Sequence, residues 1–307
     1  MIHSNSEGDI YIEEMPLLLV HLREEEKGAD ARLSEVLSYA LDGYAYETAT
    51  EISAFEDYVN RWRRLEKTQN RKNPVQGRIL FAVPLGTSGI NLELYRLIRF
   101  LREHPDFLNG FVGGLLVDSE NDLYSKSAAK DLVFAANCAG CAFVGRPLVE
   151  GTRTLSNYTI VSNNLGTDLM GAYRESAAGL VKEVLGTDCV RKKCPKVLVL
   201  HASSHKTSNT YAIWNRVKEQ LPEMEIREIG LRNGTLSDCA GCPYKMCLHF
   251  GEQGSCFYGG VMVEDVYPAV READAIVMLC PNYNDALSAN LTAFINRLTC
   301  LLYTSDA

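Results

Sequence analysis

Short apolar runs alternate with amphipathic helical stretches along most of this chain, and that alternation limits its fold more than any other feature. Pro16–His21, Tyr44–Thr48, Arg78–Val83, Phe111–Val117 and Ala142–Val149 each read as strands. Between them, Ala31–Leu41 spaces Leu33, Leu37 and Leu41 four apart, and Ile52–Glu66 sets Ile52, Phe55, Val59 and Trp62 on one stripe. Leu92–Arg102, with Leu94, Ile98 and Leu101 inward, and Ala128–Asn137 supply two further helices. Strand–helix repeats with short connections predict an α/β fold with a doubly wound parallel sheet. A helix over Leu169–Leu185 precedes the basic, proline-containing stretch Arg191–Pro195, and the alternation then restarts. Strands are expected at Val197–His201, Met224–Ile229 and Ala275–Leu279. Helices are expected from Asn209 (Ile213, Val217 and Leu221 on one stripe), over Val263–Arg271, and over Leu287–Leu298 with Leu287, Leu291, Phe294 and Leu298 inward. The expected division is a first α/β domain over 1–160, a helical linker over 161–194 and a second α/β domain over 195–307.

Composition narrows the setting. Of 307 residues, 46% are hydrophobic and 23% charged, as in a globular protein rather than a disordered one. A net charge of −8 argues against nucleic acid or an anionic membrane as partner. No apolar run approaches the ~20 residues of a membrane span. The acidic N-terminus (Glu7, Asp9, Glu13, Glu14) lacks the basic and apolar regions of a secretory leader, so a cytoplasmic location is expected. Ten cysteines in such a setting point to a metal or redox role rather than to disulfide staples.

The segment KVLVLHASSHKTSNT, Lys196–Thr210, carries the clearest chemistry. A buried strand opens into a loop of short donors (Ser203, Ser204, Thr207, Ser208, Thr210) just where a helix begins. Helix N-terminal N–H groups and the positive end of the dipole suit that turn to a phosphate. An ordinary helix cap is the competing reading. In a 2-1-3-4-5 sheet the ligand crevice lies beyond the carboxyl ends of strands one and three. Here those ends are His201–Ser204 and Cys280–Tyr283. The corresponding loop of the first repeat, REEEKGADA, places three glutamates where they would repel a phosphate. PLGTSGIN, Pro84–Asn91, reads as a turn that could touch a ligand.

HASSHKTSNT, DCAGCPYKMC…SC, DAIVMLCPNY and LTAFINR occur in an order that resembles the NADPH-dependent FMN reductase family, especially its iron–sulfur flavoprotein relatives. The resemblance covers about Lys196–Leu302. Together with the repeat pattern of the first half, it leads to an expectation of two tandem flavodoxin-like sheets, the first degenerate, the second stopping after its third strand and helix. The chain is therefore expected to be a fragment, or to take its missing strands from a partner. By position, Ser203, His205, Ser208, Asn209 and Thr210 would hold the FMN phosphate, and Pro281, Asn282, Tyr283 and Asn284 would line the isoalloxazine ring. Ala202 stands where the family has glycine, and Ser204-His205 where it has Pro-Arg, so a titratable group replaces a permanent cation.

Cys239, Cys242, Cys247 and Cys256 form C-x2-C-x4-C-x8-C in one glycine-rich segment. A 4Fe–4S cluster, a structural zinc and a set of free thiols are the three readings, with the cluster leading because the segment follows the second strand of the crevice. Cys138 and Cys141 form a second C-x2-C that reads as packing. The function expected from the resemblance is an FMN-dependent oxidoreductase carrying electrons from NAD(P)H to a quinone-like small molecule or a protein acceptor, either directly or through the cluster. No catalytic side chain is expected, since the cofactor supplies the chemistry. A homo-oligomer is expected. The alternatives are a non-catalytic flavodoxin-like electron carrier or metal-bearing redox module, and a structural zinc protein.

Overall fold

The computed structural model describes residues 15–23, 27–68, 76–189, 192–202, 208–231, 234, 236–282 and 284–302. The chain divides into two compact units, Met1–Val190 and Arg191–Ala307. In the first, β1 (Leu17–His21), α1 (Lys27–Ala40), β2 (Tyr46–Ala49), α2 (Ile52–Thr68), β3 (Gly77–Leu85), α3 (Leu92–Glu103), β4 (Phe111–Ser119), α4 (Ser125–Cys138) and β5 (Ala142–Gly151) alternate as the apolar pattern requires. A 3-10 turn at Ser156–Tyr158, α5 (Thr159–Leu165) and α6 (Leu169–Gly186) follow. The sheet is parallel in the order β2-β1-β3-β4-β5, the doubly wound arrangement expected.

Side chains alternate across this sheet and divide its core in two. Leu18, Val20, Ile79, Phe81 and Leu115 pack with Phe55, Trp62, Ile98 and Leu132 of α2, α3 and α4. Leu17, Leu19, Leu80, Val112 and Leu116 face Leu33 and Leu37 of α1 and Leu180 and Val184 of α6. Helix α6 therefore belongs to the first unit, which corrects its assignment to a linker over 161–194. Ala172, Tyr173, Ala177 and Val181 are buried against the sheet. Gly114 is what lets α6 approach: a Cβ there would lie 2.7 Å from Val184 Cγ2 and 2.9 Å from Leu180 Cδ1. Arg78 at the start of β3 fastens the other end. Its guanidinium donates to the carbonyls of Val184 and Thr187 and pairs with Asp188 at 2.7 Å, a cation placed on the negative end of the helix. Gln76 exchanges two hydrogen bonds with the backbone of Cys189. The pattern of α6 was legible in sequence; that its apolar stripe serves the preceding sheet was not.

The second unit repeats the beginning of the same plan. β6 (Lys196–His201), α7 (Asn209–Lys218), β7 (Glu225–Gly230), α8 (Tyr244–Glu252), a π-type turn at Met262–Val266, α9 (Tyr267–Glu272), β8 (Ala275–Leu279), α10 (Ala289–Arg297) and α11 (Thr299–Leu302) follow in order. The three strands are parallel in the order β7-β6-β8, so β6 is central. Val197, Val199 and Leu279 pack with Trp214, while Leu198 and Leu200 pack with Met262, Val266, Tyr267, Leu291 and Phe294 on the other face. Strand β8 lies at the sheet edge, with Ile276 and Met278 exposed.

Three local expectations change. On α7 the buried residue is Trp214, while Ile213 and Val217 are 62% and 43% exposed, because the indole takes the inward position. Leu287 is 42% exposed because α10 starts only at Ala289, after Ser288 at the N-cap. The helix expected over Val263–Arg271 is a π-type turn followed by the shorter α9. Among the described residues no helix is long and apolar enough to cross a membrane.

If α6 is a core helix, Gly114→Val should lower the stability of the first unit by about 1–3 kcal/mol through overpacking, read by urea unfolding followed with a first-unit probe. An unchanged midpoint would mean that α6 does not rest on β4.

Candidate functional site

The crevice of the second unit is assembled by strand pairing. In parallel register, His201 at the end of β6 stands beside Leu279 at the end of β8, so the chain leaves both strands at the same edge. Leaving β6 it passes Ala202 and residues 203–207, which lie outside the described residues and include Ser203, His205 and Thr207. It re-enters at Ser208, the N-cap of α7, with φ −88° and ψ 112°. The Ser208 hydroxyl accepts from Tyr211 N at 3.1 Å, and the Ser208 carbonyl takes the first intrahelical bond, from Ala212 N. The cap reading of this serine is therefore observed. It is compatible with an anion, because a hydroxyl that accepts from the helix still has its proton to donate. Asn209 and Thr210 occupy the first turn, ahead of the first intrahelical bond, where N–H groups project from the positive end of the helix.

Leaving β8, the chain passes Cys280, Pro281 and Asn282; Tyr283 lies outside the described residues. Asn284 and Asp285 then hold φ of 53° and 58°, two consecutive non-glycine residues in the left-handed region. The Asn282 amide donates to Asp285 Oδ1 at 3.3 Å across this bend. Strained backbone at the mouth of a crevice costs on the order of 1–3 kcal/mol per residue and recurs where ligands are clamped. The Asn290 amide in α10 donates to Leu231 O at 2.7 Å, and Leu231 N donates to His201 O at 2.7 Å. That relay ties the first turn of α10 to the carboxyl end of β6.

Helix α7 is positioned by Glu228 on β7, which the sequence reading did not single out. Its carboxylate accepts from Tyr211 Oη at 2.5 Å, Trp214 Nε1 at 3.2 Å and Lys218 Nζ at 2.8 Å. Burial pushes the Glu228 carboxyl upward, but these three donors outweigh it and hold the group down at about 2. The same bond raises the Tyr211 phenol.

The cysteine segment does not form the expected cage. Part of it is helical: α8 carries Cys247, while Cys239 and Cys242 precede it in irregular chain and Cys256 follows it. Cys239 is exposed, with its backbone N–H on Asp238 Oδ1 at 2.7 Å. Cys247 Sγ meets Cys300 Sγ at 3.4 Å. For Cys256, burial pushes the thiol up, but the Tyr258 N–H and the Arg297 guanidinium bring it below its ordinary value. Among the described residues no three His, Cys, Asp or Glu side chains come together to hold a metal ion. Among the described residues Cys239, Cys242, Cys247 and Cys256 do not gather around one ion-sized site, so no metal is assigned to them. Spacing along the chain grouped four thiols; in the fold Cys247 and Cys256 both bond to the thiol of Cys300 on α11, which the sequence reading did not single out. In the first unit, Cys141 is buried with its thiol pushed up by burial, and Cys138 is exposed.

The matching edge of the first unit is occupied by its own side chains. Glu120 Oε1 accepts from Ala29 N at 3.1 Å in the first turn of α1, where a bound anion would otherwise sit. Buried Asp118 takes Arg32 in a fork, Nε at 2.9 and 3.1 Å and Nη2 at 2.7 Å, and His21 meets Asp30 at 2.8 Å. Asn91, in the turn considered for ligand contact, is consumed structurally: it caps α3 and donates to Leu22 O and Pro84 O.

The model of the NADPH-dependent FMN reductase family matches residues 195–307. The C-terminal third carries that family's signature. No curated protein and no solved structure matches the chain. The family match covers the β6–β7–β8 unit and does not extend to the first unit.

Glu228→Gln should cost about 1–3 kcal/mol at pH 7 by weakening charge-assisted bonds to α7. Because the folded-state value is depressed, the carboxylate's contribution is fully present above its ordinary 4.5 and is lost as pH falls through about 2. Denaturant unfolding of the two proteins should show a gap that narrows steadily below pH 4.5, and a constant gap would contradict the assignment.

Proposed function

We propose that the chain is an FMN-dependent oxidoreductase that passes electrons from NAD(P)H to a quinone-like small molecule or a protein acceptor. The observation that carries this reading is the shared edge at which β6 and β8 end, with the capped N-terminus of α7 and the left-handed Asn284–Asp285 following them, within the segment that the reductase family matches. The phosphate of FMN would sit at α7, held by Ser208 and the first-turn amides of Asn209 and Thr210. On the family resemblance, Ser203 and His205 would complete that shell. The donors are hydroxyls and helix amides, which suit a dianion without requiring a cluster of cations in an acidic protein. Pro281, Asn282, Tyr283 and Asn284 would flank the ring. The left-handed backbone of Asn284 and Asp285 at the end of this stretch supports the reading, because it leaves less to order on binding.

Bound there, FMN would supply the hydride and electron transfer between the nicotinamide and the acceptor. The residues around it bind and orient; none is asked to act as an acid or a nucleophile.

Ser208→Asp separates binding from folding. Aspartate keeps the N-cap, so the thermal midpoint should stay within a few degrees of wild type, while a carboxylate beside the phosphate should remove FMN. The wild-type chain should oxidise NADPH in the presence of FMN and a soluble quinone, and the variant should do so at least tenfold more slowly at limiting FMN. Wild-type turnover without dependence on FMN, or a variant that keeps wild-type FMN affinity, contradicts the reading. FMN bound with no NADPH oxidation assigns the unit as an electron carrier instead.

A further inference from the structure

Three thiols meet where α8, the segment after it and α11 come together. Cys300 on α11 is 6% exposed, and its thiol bonds to Cys247 on α8 at 3.4 Å and to Cys256. Cys247 and Cys256 are partly exposed, so solvent reaches both of them. Beside Cys256 lies the guanidinium of Arg297, in the last turn of α10 and 4% exposed. It donates to Gly259 O at 3.0 Å and to the Cys256 sulfur, and among the described residues no Asp or Glu pairs with it. A buried guanidinium keeps its charge and needs an anion close by. The Cys256 sulfur is the group placed to supply one. Burial alone would hold that thiol protonated, but the Tyr258 N–H, Arg297 and Cys300 together bring it below its ordinary value. Burial pushes the Cys300 thiol the other way, so Cys300 keeps its proton and donates it to Cys256. Cys247 donates in turn to Cys300.

We propose that Cys256 and Cys300 form a reversible disulfide, with Cys256 the sulfur that attacks a hydroperoxide and Cys300 the thiol that resolves it. In the first step the Cys256 thiolate attacks one peroxide oxygen. An S–O bond forms, the O–O bond breaks, and the departing hydroxide is protonated to water. Cys256 is now a sulfenic acid, oxidised by two electrons. In the second step the Cys300 sulfur attacks the Cys256 sulfur. The S–S bond forms, the S–O bond breaks, and the oxygen leaves as water with the Cys300 proton. A small dithiol returns both thiols by exchange and is itself oxidised to a disulfide. Cys256 leads, rather than Cys247, because the cation lies beside Cys256. Oxidation removes the anion that faces Arg297 and leaves the guanidinium only Gly259 O. The reduced pair therefore keeps an ionic contact that the disulfide lacks, which makes the bond easy to reduce.

The test is limiting hydrogen peroxide on the reduced, chelator-washed full chain, followed by alkylation and peptide mapping, for wild type, Cys256→Ser, Cys300→Ser and Cys247→Ser. Wild type should give a linked peptide pair through Cys256 and Cys300 that a small dithiol reverses. In Cys300→Ser, Cys256 should stop as a sulfenic acid that a cyclic dione traps. In Cys256→Ser, oxidation of Cys300 should slow by about tenfold or more. Cys247→Ser should still form the bond. A link from Cys300 to Cys247, a link between two chains, or oxidation of the exposed Cys239 ahead of Cys256 would overturn the inference. So would Cys300 oxidation in Cys256→Ser at the wild-type rate. Iron or zinc that survives the chelator and shields these thiols would assign them to a metal and overturn it too. Should a variant fail to fold, the wild-type map decides alone. Flavin binding plays no part in this readout, so the disulfide and the reductase reading stand or fall separately.

Discussion

The parallel pairing of β6 with β8 is the constraint on which the second unit depends. Parallel strands deliver their outgoing chains to the same edge, and the register His201 with Leu279 brings together two segments nearly eighty residues apart in sequence. The cap of α7 and the left-handed bend after β8 both follow that edge. Glu228 extends the same logic sideways, since its three donors set where the N-terminus of α7 points. A ligand site then requires little more than short donors at the strand ends.

The two units share a winding order but diverge in what fills the crevice. In the second, the start of α7 is capped by a neutral serine that keeps a proton to donate. In the first, the start of α1 is met by the carboxylate of Glu120, and the Arg32–Asp118 fork and His21–Asp30 pair consume the nearby polar groups. A negative side chain at a helix N-terminus supplies the stabilisation that a bound phosphate would otherwise give. The first unit therefore gains internal order at the position where the second keeps donors for a ligand.

Much of the layout was legible because apolar periodicity maps directly onto buried faces. The strands of both sheets and their winding order follow from runs such as Leu17–Val20 and Val197–Leu200. Periodicity does not say which sheet a helix will cover, and for that reason α6 read as a linker although Gly114 and Arg78 were shaped to receive it. Nor does it rank competing stripes: Trp214 displaced Ile213 and Val217 because an indole buries more area and its N–H found Glu228. The cysteine segment shows another limit of spacing: Cys247 and Cys256 meet at Cys300, more than forty residues further along the chain, a partner that local spacing could not name.

Hydrogen–deuterium exchange on the full chain, with and without saturating FMN, is the most direct examination of where the cofactor belongs. Protection should appear over the loop into α7, around Ser208–Ala212, and over the bend into α10, around Pro281–Leu291, while amides at the carboxyl ends of β1, β3 and β4 stay as they were. Protection centred on the first unit, or none in either segment, would contradict the account.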